Sequence, residues 1–177
     1  MEKWDIYDVD RTKTGRTHIR GDRMEDGDYH IVIHICLFNS EGKMLLQKRR
    51  DTKKEWSGKW DITASGSALS GETSRQAAAR ELTEELGIDI DFSHIAPSFS
   101  VTFLHGFDDF YIVNADVDLS RVKMQEEEVQ QVKWADREEI HRLISDGEFI
   151  PYHRSVIDMI YSMKDFYGCH SEFKADR

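Results

Sequence analysis

The chain is short of proline, of cysteine and of positive charge. Two prolines in 177 residues leave no material for a Pro-rich linker, and no repeat or low-complexity segment interrupts the chain. A single domain over residues 1–177, large enough for a real core, is therefore expected. The two cysteines, Cys36 and Cys169, stand far apart and lack metal-ligand spacing, so nothing calls for a disulfide framework or a zinc site. Cys36 lies inside an apolar run and reads as a small buried hydrophobe. Lys and Arg number 24 against 34 Asp and Glu, and the net charge of −10 argues against nucleic-acid backbone binding. No apolar run reaches membrane-spanning length, and the opening MEKWDIYDVD is too charged for a signal peptide. The expectation is a soluble, cytoplasmic protein with no membrane partner.

Strand signals come first along the chain. Residues 4–10 and 16–20 flank the turn residues Arg11 to Gly15, which predicts an N-terminal β-hairpin over about residues 3–21. It either caps the sheet of its own chain or pairs with a neighbour to give a homodimer. Residues 29–38, YHIVIHICLF, alternate as a strand with His30, Val32, His34 and Cys36 on one face and Ile31, Ile33, Ile35 and Leu37 on the other. His30 and His34 are metal ligands or half-buried polar positions. A second strand over 43–50 ends in Gln47, Lys48, Arg49 and Arg50. Further strands are expected at 60–64, at 98–105 and 110–117 about a turn at Gly106, and at 129–134. Two helices follow over about residues 136–167. Asp136 caps the first; the second carries Val156, Met159, Ile160, Met163 and Phe166 as an apolar stripe. Residues 169–177 read as a loose tail. This order suits an α+β chain, or an αβα sandwich around a mixed β-sheet.

The stretch that carries chemistry is residues 66–88, GSALSGETSRQAAARELTEELGI. It predicts a loop running into a helix. Thr73 is the N-cap, Gln76 completes a capping box, and Gly87 is the stop. Arg75, Ala78, Ala79, Leu82 and Leu86 share the packing side. Glu81, Glu84 and Glu85 share another, where like charges repel by roughly 0.2–0.5 kcal/mol per pair. Arg80 alone cannot neutralise them. A hard divalent cation can, because Mg²⁺ and Mn²⁺ prefer carboxylate oxygen. The plainer alternative is a surface helix with a solvated acidic face.

These residues resemble the Nudix box, the signature of hydrolases that act on a diphosphate linked to another moiety. Gly66, Glu72, Arg80, Glu81, Leu82, Glu84, Glu85, Gly87 and Ile88 fill every position of that pattern. At roughly 5–10% usage per residue type, its seven fixed positions coincide by chance about once in 10⁸ start points. The resemblance implies the Nudix fold, with the box as a loop–helix–loop beside the sheet. It implies Glu81 and Glu85 as metal ligands, Glu84 as a ligand or close partner, and the Gly66 carbonyl near the metal. Arg80 then orients the carboxylates, while Glu72 is structural or reaches a metal through water. Arg49 ends its strand where Nudix proteins often contact substrate. An acid outside the box commonly adds a ligand or a general base. The candidates are Asp109, otherwise a turn residue, and Glu127 or Glu128, otherwise part of a solvated loop.

The implied activity is Mg²⁺- or Mn²⁺-dependent cleavage of the phosphoanhydride in a nucleoside diphosphate derivative or a similar small organic diphosphate. Residues 51–59, 99–109 and 118–125 are the loops expected to recognise the attached group. Trp56, Phe103, Phe107 and Phe110 either stack a base there or line the core. The chain is also similar to the isopentenyl diphosphate isomerase branch of the family. Isomerases place a catalytic Cys before the loop Gly and a metal-binding His after it, whereas Ser65 and Ser67 stand here. An isomerase-like enzyme and a non-catalytic nucleotide-binding module are thus the alternatives.

Overall fold

The apolar run at 29–38 lies at the centre of a mixed sheet, and the rest of the chain is wound around it. The computed structural model describes residues 1–166 and 168–170. In chain order the elements are β1 (Lys3–Tyr7), β2 (Lys13–Ile19), β3 (His30–Phe38), β4 (Met44–Arg49), β5 (Trp60–Asp61), β6 (Ala64–Ser67), α1 (Ser74–Leu86), β7 (Phe99–Phe103), β8 (Gly106–Asn114), a 3₁₀ turn (Leu119–Arg121), β9 (Val129–Ala135), α2 (Arg137–Ser145) and α3 (Arg154–Met163). The main sheet runs β5-β4-β3-β8-β7, with β6 paired to β3 and β9 to β4. Among the named strands of the described residues, β3 and β8 form the parallel pair, from His30 opposite Gly106 to Phe38 opposite Asn114. The other pairs are antiparallel.

Period-two alternation along β3 explains the layers. Ile31, Ile33, Ile35 and Leu37 pack against Ala77, Ala78, Leu82 and Leu86 of α1. Cys36 and Phe38 face the opposite cluster, with Ile140 and Leu143 of α2 and Ile157 and Ile160 of α3. Helix, sheet, helix is the expected αβα sandwich. The stripe on α3 differs in phase: Ile157 and Ile160 are buried while Met159 is exposed. The second C-terminal helix stops at Met163; Tyr167, its expected end, and residues 171–177 of the expected tail lie outside the described residues.

Two strand assignments change for physical reasons. The expected strand at 60–64 divides into β5, which pairs with β4, and β6, which pairs with β3. Thr63 sits in the split. Its hydroxyl accepts from the Leu37 N–H at 2.9 Å and donates to the Leu45 carbonyl at 2.7 Å, closing both neighbouring strands. The expected turn at Gly106 falls one step earlier, at Leu104 and His105, and Gly106 opens β8. A Cβ at Gly106 would stand 2.7 Å from the His30 carbonyl and 2.4 Å from the Phe103 ring, so the close parallel start of β3 and β8 needs glycine.

The N-terminal hairpin caps its own chain. Tyr7 and Tyr29 exchange backbone hydrogen bonds of 2.8 and 3.0 Å, and the Ser70 N–H donates to the Lys3 carbonyl at 2.7 Å. Asp5 accepts from the Ser70 hydroxyl and the Gly71 N–H, which ties β1 to the loop ahead of α1. At the hairpin tip, Arg11 forks onto both oxygens of Asp109 at 2.9 and 2.8 Å. Asp109 is fully buried, and it also accepts from Ser74 at 2.7 Å and from Ser100. Replacing Asp109 with Ala removes the acceptor that Ser74, Ser100 and the part-exposed Arg11 share, and urea unfolding should show a loss of about 1–3 kcal/mol. A loss within experimental error would show that this clamp contributes nothing.

Candidate active site

Helix α1 forms where the sequence predicts it. Thr73 and Gln76 make the reciprocal capping box, and Gly87 closes the C-terminus. Its buried residues are Ala77, Ala78, Leu82, Glu85 and Leu86. Ala77 replaces Arg75 on the packing side; Arg75 turns out to donate to the Ser93 carbonyl at 2.7 Å. Glu85 is therefore an acid on a packing face, not part of a solvated stripe.

Arg80 organises the acids around it. It donates to both oxygens of Glu72 at 2.7 and 3.0 Å, to Glu81 at 2.9 Å, to Glu84 at 3.0 Å and to the Ser67 carbonyl at 3.2 Å. Glu72 also accepts from the Leu69 N–H at 2.8 Å, so it braces the loop between β6 and α1. Glu81 lies against Gly66: a Cβ there would stand 2.1 Å from Glu81 Oε1. Only a residue without a side chain lets the carboxylate approach this strand. Glu85, one turn on, is 5% exposed and accepts from the Gln47 amide at 2.8 Å. Glu84 is open to solvent, with 52% of its side chain exposed.

The second half of the site comes from β4, β5 and the approach to β9. Gln47 stands opposite Asp61, which is 1% exposed and accepts from the Tyr152 hydroxyl at 3.2 Å. Tyr152 in turn lies 3.3 Å from His34, whose other ring nitrogen is 2.9 Å from Asp108. His34 thus has protein partners, and His30 stacks on Trp4 with ring centroids 4.2 Å apart. Arg49 is two residues beyond Gln47 and shares its face of β4, about 7 Å along the strand. Its Nε donates to the Glu55 carbonyl at 3.4 Å. Glu128 is half-buried, pairs with Lys53, and is close enough for its charge to act on Glu85. Glu127 is exposed. Gln125 and Lys123 donate to the Glu85 and Leu86 carbonyls at 2.9 Å each, so part of the 118–125 loop seals the end of α1.

Asp109 is not brought to this site. It contacts Ser74, eleven residues before Glu85 on the same helix, which is about 16 Å along the axis. It lies within β8 and not at a turn. Phe107 and Phe110 are core residues, whereas Trp56 and Phe103 are exposed. Gln47 and Asp61 escaped sequence reasoning as site residues. Alternation along β4 places Gln47 on the α1 side with Leu45, but the pairing with Asp61 depends on how 60–64 divides.

Electrostatically the site is overloaded with acid. Burial pushes the Glu81 carboxyl up to about 7, against the pull of Arg80. Burial, then the charge of Glu81, drives Glu85 well above the carboxylate range. Burial acts on Glu72 as well, but its hydrogen bond from Arg80 and that from Leu69 outweigh it and hold Glu72 low. Among the described residues no three His, Cys, Asp or Glu side chains form a ready-made metal cage. The donor set still fits Mg²⁺ or Mn²⁺, since Mg²⁺ keeps several waters and takes one or two carboxylates. Glu81 shares an arginine already committed to Glu72, and buried Glu85 has only the neutral Gln47 amide, so the two carboxyl groups are short of positive charge.

The helix–sheet–helix layers and the arginine-tied acidic helix define a Nudix-type domain. The family described as NUDIX domain matches residues 28–158. An uncharacterized Nudix hydrolase of Listeria monocytogenes is 46% identical over 170 residues, covering 96% of this chain and 99% of its own. An isopentenyl-diphosphate Delta-isomerase of Klebsiella pneumoniae is 32% identical over 118 residues, 64% of each chain. A solved structure from Deinococcus radiodurans shares the fold with a TM-score of 0.72 at 23% identity, covering 90% of this chain and 97% of that one. The chain belongs to the Nudix family and is a hydrolase of that family. Among the described residues no helix is long and apolar enough to cross a membrane.

The raised carboxyls set a pH dependence. Between the ordinary Glu value of 4.5 and about 7, the folded chain keeps a proton on Glu81 that the unfolded chain has released. Stability is then full below about pH 4.5 and is lost as pH rises through about 7, by roughly 3 kcal/mol for this one group. Chelator-treated protein should melt higher at about pH 5 than at about pH 8, and Glu81→Gln should reduce that difference. An unchanged difference in the variant would exclude Glu81 as its source.

Proposed function

We propose that the chain hydrolyses the phosphoanhydride of a small organic diphosphate, such as a nucleoside diphosphate linked to another moiety, with Mg²⁺ or Mn²⁺ as cofactor. The observation that carries this reading is the pair Glu81 and Glu85, served by one shared arginine contact and one neutral amide and set beside the cradle at Gly66. Glu81 and Glu85 would hold the ion, assisted by the Gly66 carbonyl and Glu84. A bound divalent ion polarises phosphoryl oxygens and lowers the pKa of a coordinated water. Arg80 keeps Glu81 and Glu84 in place through its fork. Glu84, the most solvent-open acid of the box, takes the proton of the attacking water. Arg49 takes a diphosphate oxygen, from the same face of β4 that presents Gln47 to Glu85. Glu128 is the acid outside the box, and its pair with Lys53 carries the loop at 51–59 to the site.

The isomerase reading lacks its chemical groups in this chain. Ser65 and Ser67 flank Gly66, Cys36 is buried in the cluster under α2 and α3, and Cys169 is beyond α3. A hydroxyl is a far weaker acid than a thiol for protonating a hydrocarbon. A binding module remains distinguishable by turnover.

The test is a Mg²⁺-dependent phosphate-release assay over nucleoside di- and triphosphates, dinucleotide polyphosphates, nucleotide sugars and isoprenoid diphosphates. Glu85→Gln should lower kcat by roughly 10²–10³-fold while the protein stays folded. Near wild-type rates in that variant would refute the assignment. Gly66→Ala should displace Glu81 and abolish the rise in melting temperature that Mg²⁺ produces in the wild type. An undiminished rise would remove Gly66 and Glu81 from the ion site.

A further inference from the structure

Strand β7 ends the main sheet. One edge pairs with β8 over five regular positions, from Phe99 opposite Phe110 to Phe103 opposite Gly106. No other strand among the described residues pairs with its outer edge. Exposed edges of this kind are normally protected by charge, proline or a bulge. β7 has none of these: PSFSVTFLHG, residues 97–106, contains no Asp, Glu, Lys or Arg in a chain of net charge −10, and its proline precedes the strand.

The side chains on this edge are unusually apolar for a surface. Ser100 points with Asp109 toward α1, so Phe99, Val101 and Phe103 share the opposite face. Val101 is 41% exposed, Phe103 36% and Leu104 79%; Met159 on α3 is 37% exposed. Among the described residues these are half of the large hydrophobic side chains left exposed. Beside Phe99 lies a groove of about 660 Å³ whose apolar lining is Phe99, Met159, Met163 and Phe166, with Ser98, Ser162 and residues 168–170 completing it. One end of the stripe therefore carries projecting apolar side chains and the other an apolar groove.

We infer that β7 is the interface of a homodimer, in which two copies pair antiparallel through their outer edges about a two-fold axis near Val101. Such pairing is isologous, so each edge supplies the donors and acceptors that the other lacks. With Val101 opposite its own copy, Phe103 of one chain stands opposite Phe99 of the second, on the face where the groove opens. The projecting end of each stripe thereby meets the groove end of the other. Absence of charge matters because two copies of an acidic chain repel on average, whereas β7 itself carries no charge and the nearby Arg11, which donates to Ser100, is paired with Asp109. The N-terminal hairpin is already used within its own chain, so it does not compete for this role.

Sedimentation equilibrium of the full chain over a wide concentration range tests the inference. The wild type should show twice the chain mass at high concentration. Val101→Lys, which sets two ammonium groups face to face, and Met159→Lys, which charges the groove, should each shift the midpoint of association by at least tenfold toward monomer. Circular dichroism of both variants at low concentration establishes that they fold. A wild type that stays monomeric overturns the inference, even if it binds strand-forming peptides. A dimer unaffected by both substitutions in folded protein overturns it too. Neither result bears on the hydrolase reading, since no residue of β7 belongs to the glutamate site.

Discussion

Arg80 is the interaction on which the acidic site depends. Five acceptor atoms converge on one guanidinium: both oxygens of Glu72, one each of Glu81 and Glu84, and the Ser67 carbonyl. The planar fork suits several acceptors at fixed angles, which an ammonium could not serve. It joins the loop after β6 to the middle of α1, so loop and helix form one rigid unit. Yet one positive charge cannot balance Glu72, Glu81 and Glu84 together, and Glu85 receives only a neutral amide. Buried charge without a partner is costly, and the raised Glu81 and Glu85 carboxyls record that cost. The two carboxyl groups thus have less positive charge about them than they would need to ionise together.

Delivery of that site depends on how β3 is shared. Its first half pairs with β6 and its end with β4, so two separate segments reach the same side of one central strand. β6 brings Gly66 under Glu81, and β4 brings Gln47 under Glu85. Thr63 plugs the gap between them. A second brace works from the other end of α1. Buried Asp109 gathers Arg11 from the hairpin, Ser74 from the helix start and Ser100 from β7, and the Tyr111 hydroxyl reaches Ser74 at 2.8 Å. An acid that sequence reasoning set beside the catalytic candidates is the fastener that holds the opposite end of the helix.

The surface divides by charge in the same way. Acid is concentrated on α1 and the 126–128 loop, where Lys53 and Arg50 tie down the neighbouring segment. The β7 edge is free of charge and rich in apolar side chains. Two surfaces of such different character suit two different partners, a hydrated ion with its polar ligand at one and protein at the other.

The sequence by itself determined the family, the helix from Ser74 to Leu86 with its capping box, the two faces of the central strand and the layered architecture. These follow from local rules: capping chemistry, helical spacing and strand alternation act over a few residues and are visible in one dimension. Only the tertiary structure decided that Glu85 faces inward while Glu84 faces water, that Asp61 and Gln47 meet, that Glu128 and not Asp109 lies near the glutamates, and that 60–64 serves two different strands. Each of these depends on which distant segments are brought together. A carboxylate carries the same letter whether it ends in a salt bridge, in a core or beside an ion, and the environment that distinguishes them comes from residues tens of positions away.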